Sequence, residues 1–145
     1  MRFMIIRKAD AETEAGVMPS AQLVADMMAY NEQMIRAGVM VGGDGLRPSR
    51  DGARISFKDG KPTVIDGPFA EAKEMIAGYS LIQVRDQAEA LEWVRRWPAI
   101  DGHGNVQLEL RRIYEADEFG DAVTPEIRKQ EQMLRELGAK NAKGG

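Results

Sequence analysis

The chain has 145 residues, which is enough for one domain with a single hydrophobic core. Hydrophobic residues make up 43% of it and charged residues 30%, as in an ordinary soluble domain. The net charge of −3 argues against a nucleic-acid partner, which needs a basic surface. No segment approaches the roughly 20 apolar residues of a membrane span, and there is no cysteine for disulfides or thiolate metal sites. We therefore expect a cytoplasmic protein with no membrane partner.

The first third of the chain predicts a strand, a loop and a helix. Residues 2–8 are largely apolar without Gly or Pro and predict a strand, whereas the polar segment 9–18 predicts a loop. A helix is predicted from Ser20 to about Ala37, with Gly38 after its last turn. Its apolar residues recur with a period of 3.6, which predicts one face packed on a sheet. They are Leu23, Met27, Tyr30 and Met34, flanked by Val24, Met28 and Ile35.

The middle of the chain predicts a second strand and an inserted hairpin. The strand begins at Val39 and runs into the cluster Gly42-Gly43-Asp44-Gly45, which either ends regular structure or brings two backbones close together. Residues 53–65 predict a hairpin with Asp59-Gly60 as a type I′ turn.

Further strands and helices follow the hairpin. Residues 77–84 predict a strand, and Asp86 then caps a helix in which Glu89 completes a capping box. Residues 105–113 predict the last strand.

The end of the chain predicts an extension of the main domain. Thr124 and Pro125 begin a last helix that runs to about Leu137. We therefore divide the chain into a domain over residues 1–115, an extension with a helix over 116–138 and a disordered tail over 139–145.

These elements predict an α+β, ferredoxin-like fold of the dimeric α/β-barrel type. The order is βαβ, hairpin, βαβ and one more helix, which gives an antiparallel sheet with two helices on one face plus a C-terminal helix. A sheet covered on one side leaves its other face bare, and a second copy related by two-fold symmetry is the simplest cover. We therefore expect a homodimer, with space for a small-molecule ligand between or beside the sheets.

The most distinctive segment is Asp66-Gly67-Pro68-Phe69, which is followed by Ala-Glu-Ala-Lys-Glu up to residue 74. In a structural interpretation, the Asp66 carboxylate accepts backbone N–H bonds from the turn, Pro68 fixes its φ and Phe69 packs in apolar surroundings. In a functional interpretation, Asp66 is a general base or a ligand acceptor at a cavity mouth. A rigid turn can serve both roles, so both stay open.

This segment resembles the signature of the DGPF, or YCII-related, proteins. Other stretches extend the resemblance over nearly the whole chain: MRFMIIRKAD, GVMPS, GGDGL, IAGYSLIQV and ADEFGDAVTPEIRKQEQ. The resemblance implies a ferredoxin-like dimer but no single reaction, since the wider superfamily includes cofactor-free oxygenases, isomerases and dehydrohalogenases. Narrower YCII proteins have a His–Asp pair with the His in the N-terminal half. This chain has no histidine there, so that pair does not carry over.

Other residues are candidates for a site. Asp44 is a second candidate proton acceptor, and Arg54 or Arg47 could clamp an anion. Glu71 and Lys73 gain interest from the resemblance, although such charge runs are usually solvated. The one histidine, His103, is either a proton shuttle or an exposed loop residue.

Two functions follow from these candidates. The first is a small-molecule acid/base enzyme, such as an isomerase, lyase or oxygenase-like protein, with neither metal nor organic cofactor. It predicts a cavity that contains a carboxyl group with a raised pKa. The alternative is a non-catalytic ligand-binding or regulatory protein, because DGPF proteins are often associated with extracytoplasmic-function sigma factors. It predicts an exposed apolar surface on the C-terminal helix around Ile127 and Leu134.

Overall fold

The computed structural model describes residues 1–144, except for the side chain of Lys73. The chain forms two compact units, Met1–Ile113 and the segment that begins at Tyr114. The strands are β1 (Arg2–Lys8), β2 (Met40–Gly45), β3 (Ala53–Lys58), β4 (Lys61–Asp66), β5 (Ile76–Gln83) and β6 (Leu108–Arg112). The helices are α1 (Ala11–Glu14), α2 (Ala21–Arg36), α3 (Gln87–Val94) and α4 (Pro125–Gly144).

Four strands form one antiparallel sheet in the order β2-β5-β1-β6, while β3 and β4 form a separate hairpin. The central strand β1 places Ile5 between Ser80 of β5 and Leu110 of β6. Each βαβ half contributes one inner and one outer strand. This arrangement confirms the predicted ferredoxin-like topology.

The core lies between this sheet and helices α2 and α3. Phe3 and Ile5 of β1 face the helices, and Met34 of α2 is fully buried against them. The Tyr30 hydroxyl donates a 2.7 Å hydrogen bond to the Trp93 carbonyl oxygen, which ties α2 to α3. The predicted apolar stripe of α2 therefore faces the core at its C-terminal half. Its flanking row is exposed instead: Val24, Met28 and Ile35.

Side chains cap α2 and α3 at the predicted residues. The Ser20 hydroxyl accepts from the Leu23 N–H at 3.1 Å, and the Asp86 carboxylate accepts from the Glu89 N–H at 2.9 Å. The Glu89 carboxylate, however, accepts from the Arg85 N–H, one residue before the cap. The predicted capping box at α3 therefore forms only in its Asp86 half.

The prediction of a loop over residues 9–18 is wrong in one part. Residues Ala11–Glu14 form the short helix α1, which begins with a reciprocal capping box. In this box the Asp10 carboxylate accepts from the Thr13 N–H, and the Thr13 hydroxyl accepts from the Asp10 N–H. A four-residue helix has no hydrophobic period, so only its cap could have revealed it.

The hairpin and the glycine cluster follow their predictions. Asp59 and Gly60 have φ values of 51° and 76°, as a type I′ turn requires. Strand β2 continues through the glycine cluster, where a Cβ on Gly43 would lie 2.7 Å from the Tyr79 carbonyl oxygen. The cluster thus brings two backbones close together. Every residue of the hairpin is exposed, including Phe57 at 71%.

The sheet face opposite the helices has no covering element within Met1–Ile113. Met4, Ile6 and Leu81 on this face are half-buried, and Val41 at the edge is 57% exposed. The face therefore carries an apolar patch at Met4, Ile6 and Leu81, bordered by the charged residues Glu109 and Arg111 of β6.

In the second unit, α4 continues past the predicted end at Gly138 to Gly144. The end predicted near Leu137 is wrong, because the residues after Gly138 are mostly alanine and lysine, which favour helix. Of the tail predicted to be disordered, residue 145 lies outside the described residues. None of the described helices has the length and apolarity that crossing a membrane needs.

Candidate functional site

A broad cleft of about 1250 Å³ lies within Met1–Ile113. Its walls come from α1, the first half of α2, strands β2 and β5, and the loop at residues 99–104. One wall is apolar and rich in methionine, formed by Met18, Leu23, Met27, Met28 and Met40. The lining also includes charged and polar groups: Arg7, Asp10, Glu12, Asp44, Tyr79 and His103. An apolar wall with a few polar groups is typical of sites that hold small organic molecules.

A buried ion pair lies at one end of the cleft. The Arg7 guanidinium donates to both carboxylate oxygens of Asp101, from Nη2 at 2.6 Å and from Nε at 3.2 Å. Its remaining nitrogen, Nη1, donates to the Asp10 carboxylate at 3.1 Å and to the Lys8 carbonyl oxygen at 2.8 Å. The Trp97 indole N–H donates to Asp101 at 2.9 Å. Both charged groups are therefore paired in full, as burial demands.

Hydrogen bonding decides the pKa shifts of this pair. Burial by itself raises the pKa of the Asp101 carboxyl, but the hydrogen bonds from Arg7 and Trp97 outweigh burial and lower that pKa below its ordinary value. The pKa of Asp10 is also lowered, since hydrogen bonds from Thr13 and Arg7 outweigh its burial. The pKa shifts of these two carboxyl groups are therefore downward. Neither is the raised carboxyl pKa that the enzyme hypothesis predicts, because each carboxylate has a cationic partner.

His103 and Glu12 form a second pair at the cleft. The His103 Nε2 lies 2.8 Å from the Glu12 Oε2, and both side chains are largely exposed. His103 belongs to the short helical turn Asp101–Gly104 and has a φ of 55°, between Gly102 at 61° and Gly104 at 84°. Non-glycine residues rarely adopt this left-handed conformation, so contacts elsewhere must hold the loop in place.

Asp44 and Tyr79 lie side by side on the adjacent strands β2 and β5. The Tyr79 hydroxyl lies 3.4 Å from the Asp44 carboxylate, a long hydrogen bond between two adjacent strands. Arg47 lines the same rim, is largely exposed and pairs through Nε with Asp51 at 3.1 Å. Asp44, Arg47 and His103 are therefore the predicted candidates that the structure brings to one cleft.

The DGPF turn, residues 66–69, is hydrogen-bonded to the segment 49–52. The Phe69 N–H donates to the Ser49 hydroxyl at 3.0 Å, and the Gly67 N–H donates to the Gly52 carbonyl oxygen at 3.0 Å. A Cβ on Gly67 would overlap the Ser49 carbonyl oxygen, so only glycine fits there. The Gly67–Pro68 peptide bond is cis.

Ser49 in turn binds α1. Its hydroxyl donates to the Glu14 carboxylate at 2.6 Å, and its backbone N–H donates to the same carboxylate at 2.9 Å. The Arg50 guanidinium adds a 3.1 Å bond to the Ala15 carbonyl oxygen. The turn thus reaches the cleft wall indirectly, through Ser49 and Glu14.

Asp66 does not make the hydrogen bonds that the sequence led us to expect. No hydrogen bond from the described residues reaches its carboxylate, which is exposed and lies outside the cleft lining. Arg54 lies over the Phe69 ring at 4.3 Å from its centroid, away from the cleft. Glu71 is also exposed and outside the lining, and the Lys73 side chain lies outside the described residues.

The sequence analysis missed Arg7 and Asp101. A signal was present, since Phe3, Ile5 and Arg7 occupy the same alternating, inward-facing positions of β1. A charge at an inward position needs a buried partner, but nothing in the sequence identified Asp101, which is 94 residues away. Among the described side chains, no three His, Asp or Glu residues are grouped as metal ligands would be.

The fold and cleft define a ferredoxin-like α+β domain with one site between its first helices and its sheet. The model of the YCII-related domain matches residues 1–116, so the chain belongs to the YCII-related family. An uncharacterised protein of Rhizobium meliloti (strain 1021) is 32% identical over 74 residues, which is 51% of this chain and 60% of that relative.

Structural comparison gives a distant match. The 5-chloro-2-hydroxyhydroquinone dehydrochlorinase of Burkholderia phenoliruptrix AC1100, in complex with 2,5-dihydroxybenzoquinone, is 16% identical to this chain. The match has a TM-score of 0.43 and covers 83% of this chain and 100% of the dehydrochlorinase.

Proposed function

We propose that the protein binds a small, largely apolar organic molecule in the cleft and catalyses proton transfer on it. The observation that carries this proposal is the His103–Glu12 pair on the edge of a cleft whose other wall is apolar. Neither half of this arrangement alone would indicate catalysis. Together they place a proton-transfer group beside a surface that retains a carbon compound.

The chemistry of the pair follows from its hydrogen bond. An ionised carboxylate can only accept, so Nε2 of His103 is the donor to Glu12 and carries the proton. The neutral imidazole then has Nδ1 free as a base. When Nδ1 takes a proton from substrate, Glu12 still accepts the hydrogen bond from Nε2. The reaction class is removal and return of a proton at a carbon next to a carbonyl, as in an isomerase or lyase.

Asp44 is a second candidate proton acceptor in this proposal, because it also lines the cleft. Its partner, the Tyr79 hydroxyl, lies at the long distance of 3.4 Å and restrains it only weakly.

The active form that we propose is a homodimer. The apolar patch at Met4, Ile6 and Leu81 on the open sheet face supports it, because an exposed apolar patch marks a contact surface. The exposed hairpin adds further apolar side chains, among them Phe57 and Val64.

The test measures binding and chemistry separately. Binding of the fluorescent probe 8-anilino-1-naphthalenesulfonate should quench Trp97, which lines the cleft, and Trp97→Phe should remove this quenching although Trp93 remains. Solvent deuterium exchange at the carbons next to the carbonyl of cyclohexanone and 2-oxobutanoate is then followed by proton NMR. We expect exchange above background that falls roughly 100-fold in His103→Ala and Glu12→Gln.

The matched control is Arg85→Met, which breaks an exposed ion pair far from the cleft lining. It should behave as wild type. Exchange that is equal in wild type and His103→Ala would refute the proposed catalysis, and unquenched Trp97 would refute binding in the cleft.

The alternative function, a regulatory protein with a protein partner, has support from α4. Ile127 and Leu134 lie on one face of this helix and are 44% and 54% exposed, with Met133 and Leu137 exposed nearby. Such a stripe suits a partner helix. Co-purification of a tagged chain with a sigma factor, lost in Leu134→Glu and kept in the wild type, is the result that this alternative requires.

A further inference from the structure

We infer that Arg7 is the positioning residue of the cleft, and that its guanidinium holds His103 and Glu12 within hydrogen-bonding distance. This inference rests on the proposed role of that pair. It adds a buried residue that acts through the supports of the pair and is not itself the proton-transfer group.

Arg7 connects the two segments that carry the pair. One side of its guanidinium binds Asp101, the first residue of the turn that carries His103. The other side binds Asp10, the N-cap of the helix that carries Glu12. A single planar group with five donors in a fixed fork thus contacts the supports of both members of the pair.

The need for such a group follows from the two supports. Helix α1 has only four residues and no buried side chain, so packing alone does not fix it. The turn carrying His103 has left-handed backbone at Gly102 and at His103 itself, a conformation that the chain does not prefer. Apart from the pair itself, the side-chain contacts at the ends of this turn are those of Asp101 with Arg7 and Trp97, and that of Asn105 with the His103 carbonyl oxygen.

Burial makes the contact rigid. The side chains of Arg7 and Asp101 are 11% and 7% exposed, and the Trp97 indole N–H also donates to Asp101. A paired charge in this setting has one arrangement that satisfies every donor and acceptor. The exposed His103–Glu12 contact has no such constraint of its own.

The experiment uses the one histidine of the chain as its probe. In the full-length protein, the imidazole Hε1 of His103 should show a nuclear Overhauser effect to the Glu12 side chain. The key variant is Arg7→Met combined with Asp101→Leu, which removes both charges and keeps apolar volume. Such replacements of buried pairs are often neutral or stabilising, so we expect it to fold.

We expect this double variant to lose the Overhauser effect and to slow the deuterium exchange roughly 100-fold, because small displacements of reacting groups are costly. Arg7→Lys should keep part of the effect, since one ammonium reaches one carboxylate but not both. Arg85→Met should keep all of it. If the double variant folds and retains the wild-type Overhauser effect, Arg7 only stabilises the fold and the inference is overturned.

The two failures are distinguishable. Exchange that is unchanged in His103→Ala refutes the proposed catalysis, whereas the Overhauser effect depends on geometry alone and still decides the role of Arg7. A double variant that does not fold is replaced by Arg7→Lys, in which a wild-type Overhauser effect would equally overturn the inference.

Discussion

Ser49 offers a quantitative test of how the DGPF turn is held. Its hydroxyl donates to the Glu14 carboxylate at 2.6 Å and accepts from the Phe69 N–H at 3.0 Å. A hydrogen bond to a charged group contributes about 1.5–3 kcal/mol and a neutral one about 0.5–1.5 kcal/mol. Because the site is only partly buried, we take the lower ends and expect Ser49→Ala to cost about 2 kcal/mol.

The measurement is thermal and urea unfolding of wild type and variant. For a chain of this length, about 2 kcal/mol corresponds to a fall in Tm of roughly 4–8 °C. Ser56→Ala is the matched control, because Ser56 is exposed on the hairpin and should change stability by less than about 0.5 kcal/mol. Amide hydrogen exchange at Phe69 should also accelerate in Ser49→Ala, since that N–H loses its acceptor.

A double-mutant cycle tests the link to α1. Glu14→Gln and Ser49→Ala remove opposite ends of one contact, so their costs should not add. We expect a coupling of about 1 kcal/mol between them. Costs that add within about 0.3–0.5 kcal/mol would refute the reasoning that Glu14 and Ser49 hold the turn together.

Three further predictions concern the rest of the unit Met1–Ile113. The pKa of Asp101 is lowered on folding, so its contribution to stability is present above the ordinary carboxyl pKa of 3.8 and is lost as pH falls through the folded pKa. In Asp101→Asn, acid unfolding monitored by circular dichroism should lose this component. Burial raises the pKa of Tyr30 from 10.0 to about 12, so the free energy of unfolding falls as pH rises between these two values. Absorbance at alkaline pH should show a tyrosine that ionises late, and Tyr30→Phe should remove this component. Ile6→Glu should convert the proposed dimer to monomer in sedimentation, whereas Ile35→Glu on the exposed side of α2 should not; a monomeric wild type would contradict this.

The regular elements could be predicted because their signals are local. The alternation in residues 2–8, the caps at Ser20 and Asp86 and the turn at Asp59-Gly60 each depend on neighbours in sequence. The order of these elements is compatible with few topologies, and the ferredoxin-like one is the topology that the sequence predicted.

The site was harder to predict because it is built from contacts between distant segments. His103 meets Glu12 across 91 residues, and Arg7 meets Asp101 across 94. The glycines around His103 pointed to an exposed loop, which is correct for its exposure but gives no hint of its partner. Asp66 became a candidate site residue because it lies in an unusual motif. A motif can, however, be unusual because its backbone conformation requires particular residues, as at Gly67, where a Cβ would overlap Ser49.

The short helix α1 explains how these distant segments act together. Asp10, Glu12 and Glu14 each bind a different segment: the Arg7 network, the His103 turn and Ser49 beneath the DGPF turn. A change in the DGPF turn can therefore reach the cleft through Glu14 without any role for Asp66 in chemistry. It follows that Ser49→Ala should weaken the His103–Glu12 contact as well as the turn, whereas Asp66→Asn should leave both intact. The Overhauser effect between His103 and Glu12 measures this contact directly. Its loss in Asp66→Asn would show that Asp66 helps to position the site.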